Sequence, residues 1–118
     1  MDLQPLIQRI KKHPEYNRVG MILCHQGVVR KTTREGRKVS GLRVRMDPQK
    51  LNTAVQEHKR LPGIVEILVE IDEGKDLAVG EDVMLLVVAG DIRENVIAAL
   101  SKVLDRIKSE IDKIQFYD

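Results

Sequence analysis

Apolar residues recur along the chain at spacings that predict three helices. The first helix is predicted over residues 2–12 and ends before Pro14, whose ring cannot continue a helix. The second is predicted to start at Asp47-Pro48, because aspartate suits the cap position and proline the first helical position. The third begins at Asp91, where Asp91 and Glu94 approximate a capping box. It keeps the helical period through Val96, Ile97, Leu100, Val103, Leu104, Ile107, Ile111 and Ile114.

Four further segments carry strand patterns. Residues 19–29 are mostly apolar, and residues 39–46 alternate between apolar and basic side chains. Residues 64–71 alternate as well, and a turn-rich link over residues 72–80 follows them. Residues 82–89 form an almost continuous apolar run, which is typical of a central strand buried on both faces. The order α-β-β-α-β-β-α predicts an α+β fold, with helices packed on a mostly antiparallel sheet.

Length and composition favour one soluble domain over residues 1–118. Hydrophobic residues make up 42% and charged residues 32% of the chain, which excludes extensive disorder. No apolar run approaches the roughly 20 residues that a membrane span needs. The first residues lack the pattern of a secretory signal, and the single Cys24 cannot form an internal disulfide. We therefore expect a cytoplasmic protein without a membrane anchor.

Charge is unevenly distributed, although the formal net charge is only +2. Residues 30–45 contain one acid, Glu35, and seven bases: Arg30, Lys31, Arg34, Arg37, Lys38, Arg43 and Arg45. Residues 66–82 reverse this balance, since Lys75 is the only base among seven acids. Arg43 and Arg45 are predicted to share one strand face, with Arg30 at the end of the neighbouring strand. Such guanidinium groups suit a phosphate or carboxylate, and the alternative is a solvated polar face.

Other patterns of catalytic chemistry are missing from the sequence. His13, His25 and His58 match no metal-binding spacing, and we interpret them as ordinary surface or core residues. No nucleophile elbow or glycine-rich phosphate loop occurs. We therefore expect neither a metal nor a resident cofactor, and composition and spacing alone identify no enzyme.

The order of several short motifs resembles one known family. The resemblance covers residues 19–115 and rests on Val19-Gly20, Gly27-Val28-Val29-Arg30, Leu77-Ala78-Val79-Gly80-Glu81-Asp82-Val83, Val87-Val88-Ala89 with Arg93, and Ile107-Lys108. The two motifs between Val19 and Arg30 are together similar to the family pattern Val-Gly-Ala…Phe-x-Gly-x-Val-Arg. The motif from Leu77 to Val83 is similar to the pattern Leu-x-x-Gly-Glu/Asp-x-Val. The family is MoaE, the large subunit of molybdopterin synthase.

The resemblance implies a fold, a partner and a reaction. MoaE proteins form dimers with an α/β-hammerhead core, and a ubiquitin-fold small subunit, MoaD, inserts its C-terminal thiocarboxylate tail into a basic pocket. Sulfur then passes to a cyclic pyranopterin monophosphate. By resemblance, Lys108 holds a catalytic position, and Arg30 and Arg93 bind anions. We expect these three side chains to meet at one cleft, with replacement positive charge from Arg43, Arg45 or Lys113.

The sequence also departs from the family pattern. Ile92 replaces the histidine of a His-Arg pair, and Asp72-Glu73 falls near a second such pair. Arg45-Met46-Asp47 stands where the family has a Glu-x-Tyr type sequence. Gln115 aligns with the family's second catalytic lysine, so Lys113, two residues earlier, is the candidate substitute. Because the sequence stops at Asp118, we expect the family's following tail to be missing.

Three functions therefore remain open. The first is a divergent synthase subunit that is active, specialised or reduced in activity. The second is a non-catalytic binding or regulatory module on the same fold, which the missing lysine favours. The third is a nucleic-acid binder that uses the basic strands. One Phe, two Tyr and no Trp argue against the third function, because stacking platforms for bases are scarce.

Overall fold

The computed structural model describes residues 1–118. Its helices and strands are α1 (Gln4–Lys11), β1 (Met21–Val28), β2 (Val39–Arg45), α2 (Pro48–Lys59), β3 (Ile64–Ile71), β4 (Leu77–Ala78), β5 (Asp82–Gly90), α3 (Arg93–Glu110) and β6 (Asp112–Tyr117). The predicted α+β class, with helices packed on antiparallel sheets, is confirmed. None of the helices has the length and apolar composition needed to cross a membrane.

The first sheet has the strand order β1-β5-β3, and both strand pairs are antiparallel. The predicted central position of β5 is confirmed, and its residues from Met84 to Gly90 are all buried. Successive side chains of a strand point to opposite faces. Leu86 and Val88 therefore belong to a core cluster with α3, whereas Leu85 and Val87 belong to a second cluster with α1.

The second sheet has the order β4-β2-β6 and was only partly predicted. Strand β4 lies within the segment expected to be a turn-rich link. Strand β6 lies where the last helix was expected to continue to Ile114, and that extension is wrong. The helix ends at Glu110, because Ile111 adopts an extended conformation with φ −78° and ψ 135°. The alternation of polar and apolar residues from Lys113 to Phe116 fits a strand, and pairing with β2 satisfies the backbone of β6.

Two helix starts differ in how they are capped. The predicted cap at Asp47 is confirmed, since its Oδ1 accepts a hydrogen bond from the Gln49 amide at 2.8 Å. The predicted Asp91 capping box does not form, because Ile92 occupies the cap position of α3. Asp91 instead accepts hydrogen bonds from the Asn95 side chain at 2.9 Å and the Ile92 amide at 2.6 Å. These bonds, led by that from Asn95, lower the pKa of Asp91.

A candidate anion-binding site

A cavity of about 660 Å³ lies between the two sheets, beside the C-terminal end of α3. Its wall comes from the end of β1 and the following loop, from β2 and the start of β5, and from α3 and β6. The cavity therefore depends on contacts between elements that are far apart in the sequence.

Strand alternation explains why β1 contributes to this cavity. Met21 and Leu23 pack against the core cluster that α3 shares with the first sheet. His25 and Gly27 continue on that face, since they lie two and four residues after Leu23. They reach the end of the strand near Lys108, where the apolar stripe of α3 finishes, and both line the cavity.

The second sheet supplies the opposite wall through paired residues. Leu42 lies opposite Gln115, and Val44 lies opposite Lys113, in the antiparallel pairing of β2 and β6. All four residues line the cavity. The inner face of this sheet is thus apolar on β2 and polar on β6.

Positive charge dominates the cavity lining. Four cations, Arg30, Arg34, Lys108 and Lys113, face one carboxylate, Glu35. None of the four forms an ion pair with another side chain, although seven ion pairs occur elsewhere in the chain. Arg30 is oriented by a hydrogen bond that its Nε donates to the Thr32 carbonyl at 2.7 Å. Unpaired cations around one hollow suit an anionic ligand, because each can form a charge-assisted hydrogen bond.

His25 adds a titratable group to this lining. Its side chain is half-buried, and the imidazole lies near Gly27, where an added Cβ atom would be 3.5 Å from Nε2. Burial lowers the pKa of His25, and the nearby positive charge of Lys108 lowers it further. The imidazole is therefore neutral at neutral pH in the empty cavity.

The sequence matches the model of the MoaE protein family over residues 1–110. The chain belongs to the MoaE family. This membership supports a role in molybdenum cofactor biosynthesis. No curated protein sequence is significantly similar to the chain.

Solved structures of MoaE-type proteins have the same fold. Molybdopterin synthase from Staphylococcus aureus is 21% identical, with a TM-score of 0.71 over 89% of this chain and 85% of that one. Molybdopterin cofactor biosynthesis protein E from Burkholderia multivorans is 20% identical, with a TM-score of 0.75 over 100% of this chain and 86% of that one. A chain in the complex of subunits 1 and 2 of the molybdopterin-converting factor from Helicobacter pylori is 20% identical, with a TM-score of 0.70 over 99% of this chain and 84% of that one.

Three of the six site residues predicted from the sequence line the cavity: Arg30, Lys108 and Lys113. Arg30, Arg93 and Lys108 were expected to lie at one cleft. Arg30 and Lys108 line the same cavity, whereas Arg93 does not. Arg93 is exposed at the first residue of α3, fifteen residues before Lys108. At about 1.5 Å per residue, their backbones are about 22 Å apart.

Arg43 and Arg45 share one face of β2, but Leu42 and Val44 on the other face line the cavity. Arg43 is held outside by Asp76, with its Nε 2.6 Å from Oδ1. Arg45 is exposed and lies opposite Asp112 in the pairing with β6.

Sequence reasoning missed His25 and Arg34 as cavity residues. His25 carried one usable signal, since it lies on the same strand face as Gly27 and just before the segment that ends at Arg30. Arg34 lies in a polar loop, where no periodicity indicates the direction of a side chain. No group of three or more His, Cys, Asp or Glu side chains is placed to hold a metal ion.

Proposed function

We propose that this MoaE-family chain is the large subunit of a molybdopterin synthase. It takes sulfur from the thiocarboxylate tail of a MoaD-like small subunit and transfers it to cyclic pyranopterin monophosphate. The observation that carries this proposal is the set of four unpaired cations around one cavity. Both reactants bring negative charge to that cavity, one as a phosphate and the other as a sulfur-bearing carboxyl group.

The two kinds of cation suit different parts of this reaction. Arg30 and Arg34 lie on the loop side, where a guanidinium group can bind a phosphate with two parallel hydrogen bonds. Lys108 and Lys113 lie on the side of α3 and β6. An ammonium group there can neutralise the thiocarboxylate, and after losing its proton it can act in proton transfer or as a nucleophile. We assign the catalytic role to Lys108.

Lys113 supplies the charge of the family's second lysine in this proposal. Gln115 occupies the aligned position, and Lys113 precedes it by two residues on the same face of β6. Both side chains line the cavity, because residues two apart in a strand point in the same direction. Moving the ammonium group by two residues therefore keeps it inside the site.

The remaining features of the proposal concern the assembly. The Helicobacter pylori neighbour is a complex of two subunits, which supports a small-subunit partner for this chain. We further propose a cytoplasmic homodimer, on the basis of the family resemblance. Arg43, Arg45 and Arg93 stay candidates for anion contacts only where a partner surface approaches them, because all three lie outside the cavity of one chain.

A reconstitution assay tests the synthase proposal. The chain is mixed with a MoaD-type subunit carrying a C-terminal thiocarboxylate and with cyclic pyranopterin monophosphate, and dithiolene product is measured. Lys108→Ala is expected to reduce the rate by about 10²–10⁴-fold, the usual contribution of a proton-transferring group. Lys102→Ala is the matched control, since Lys102 is an exposed lysine of the same helix outside the cavity. Failure of the wild-type chain to bind the subunit or form product would overturn the proposal.

A non-catalytic binding module is the second candidate function. It is favoured by Gln115 at the position of the family's second lysine and by Ile92, which is 53% exposed, at the position of its histidine. A module of this kind binds the small subunit without forming product. Lys108→Ala would then leave binding of the small subunit unchanged. Measuring binding and product in the same mixture separates the two candidates.

A further inference from the structure

His25 differs from the other polar groups of the cavity in its chemistry. Arginine and lysine side chains stay charged at physiological pH, whereas a histidine can gain or lose a proton between about pH 5 and pH 8. Its position corresponds to the phenylalanine of the Phe-x-Gly-x-Val-Arg motif, so an ionisable ring stands where the family motif has an apolar one.

We propose that His25 is a proton-linked anion contact: its imidazole is neutral in the empty cavity and takes up a proton from solvent when an anion enters. This proposal deepens the proposed function and rests on its assignment of the cavity as an anion site. It does not depend on sulfur transfer.

The titratable and charged groups that line the cavity with His25 come from four of its parts. Lys108 projects from α3, Lys113 and Tyr117 from β6, and Arg30 follows the end of β1. The loop contributes Arg34 and Glu35. The neighbouring strands β2 and β5 contribute only apolar side chains, namely Val39, Leu42, Val44, Val83 and Met84.

This arrangement disfavours a charge on His25 only while the cavity is empty. Four cations then outweigh Glu35, and the half-buried imidazole has limited access to water. A dianion in the cavity would offset most of this excess positive charge and could accept a hydrogen bond from a protonated imidazole. Anion binding and proton uptake are therefore expected to favour each other.

The direction of the pH dependence follows from this linkage. The protonated cavity binds the anion more tightly, so affinity is highest below the pKa of His25 in the empty state. Affinity falls as the pH rises from that pKa to the higher pKa of the filled state, and it is constant above both. Each unit by which the anion raises the pKa of His25 corresponds to about a tenfold change in affinity.

Sulfate is a suitable probe, because it remains a dianion throughout this pH range. Its affinity is measured by titration calorimetry between about pH 5 and pH 8, in two buffers with different ionisation enthalpies. We expect affinity to fall on the order of tenfold across the range, with net proton uptake at intermediate pH. The NMR titration of the His25 ring is expected to shift to higher pH when sulfate is present.

Two variants isolate the imidazole. His25→Phe inserts the ring of the family motif, and His25→Gln keeps a polar side chain without a titrating group. In both variants the affinity for sulfate is expected to change by less than about twofold between about pH 5 and pH 8. The pH dependence is lost because the variants lack the imidazole whose pKa differs between the free and the sulfate-bound protein. His13→Gln is the control, because His13 contacts Glu66 outside the cavity, and it should retain the wild-type dependence.

The outcomes separate this proposal from the synthase proposal. The role of His25 is overturned if sulfate binding to the wild-type chain is independent of pH. It is also overturned if both His25 variants keep the pH dependence. Either result leaves the synthase proposal standing. Absence of sulfate binding at every pH removes the anion site and both proposals. Proton-linked sulfate binding in a chain that transfers no sulfur supports His25 and counts against the synthase.

Discussion

A side chain contributes to the cavity according to the strand face on which it lies. Lys113 and Gln115 point inward from β6, whereas Ile114 between them is 54% exposed and lies opposite Arg43. A charge added at one position should therefore change anion binding, and the same charge one residue away should not. The site can be tested by moving a single lysine along this strand.

Gln115→Lys is expected to strengthen sulfate binding about two- to fivefold. It adds a fifth cation to the cavity, and an ion pair that remains partly open to solvent contributes up to about 1 kcal/mol. The effect should shrink as salt is added, because mobile ions screen the attraction. Titration calorimetry at two ionic strengths measures both properties. Ile114→Lys adds the same charge to the outer face, and equal strengthening by that control would contradict the inward orientation of Gln115.

The elements that carry the site are held by the core beneath it. Helix α3 contributes Val96, Ala99, Val103 and Ile107 to the cluster that it shares with the first sheet. Ile107 is fully buried and directly precedes Lys108, so its packing fixes the end of the helix beside the cavity. The same helix also contains an exposed isoleucine, Ile97, which is 48% accessible.

Ile107→Ala is expected to lower the free energy of unfolding by about 2–5 kcal/mol, the usual cost of replacing a buried isoleucine with alanine. Ile97→Ala makes the same chemical change at an exposed position and should cost less than about 1 kcal/mol. Denaturant unfolding of both variants measures the difference. Similar losses in the two variants would show that α3 does not bury the face described here.

Local signals in the sequence predicted most of the helices and strands, because caps and hydrophobic periods act within a few residues. Asp47-Pro48 and the apolar run of β5 are examples. The same signals could not predict β6, since apolar residues at Ile111 and Ile114 fit the helical period. Whether these residues form helix or strand is decided by pairing with β2, about 70 residues earlier in the sequence.

The cavity was less predictable than the fold, because it forms only when β6, α3 and β1 come together. Resemblance to MoaE pointed to Arg30, Lys108 and Lys113, which the structure places at one hollow. The basic pattern of residues 30–45 pointed to Arg43 and Arg45, whose shared strand face is the outer one. Alternation shows that two residues share a face, but tertiary packing determines which face lines a site.

At the scale of the whole molecule, titration of His25 links the cavity to stability. Folding lowers the pKa of His25, chiefly by burial, so the unfolded chain binds the proton more readily. Its contribution to stability is therefore present above the pKa of an unfolded histidine, about 6.5, and decreases as the pH falls towards the folded value. The lowered pKa of Asp91 acts in the same direction at more acidic pH.

We expect the free energy of unfolding, measured by urea denaturation in a buffer of low anion content, to decrease between about pH 7 and pH 5. His25→Phe should show a smaller decrease over this interval, because one proton-linked difference between the folded and unfolded states is removed. His13→Gln again serves as the comparison outside the cavity. A slope in His25→Phe as steep as that of the wild-type chain would contradict the prediction.

Only Ile111 separates the end of α3 from the start of β6, and this short junction sets which residues of β6 face inward. One extra residue at the junction that shifts the register between β6 and β2 by one would turn every side chain of β6 to the opposite face. Asp112 would then enter the cavity in place of Lys113, and a carboxylate would replace an ammonium group. The length of a one-residue connection thus determines the sign of the charge that the strand presents to a ligand.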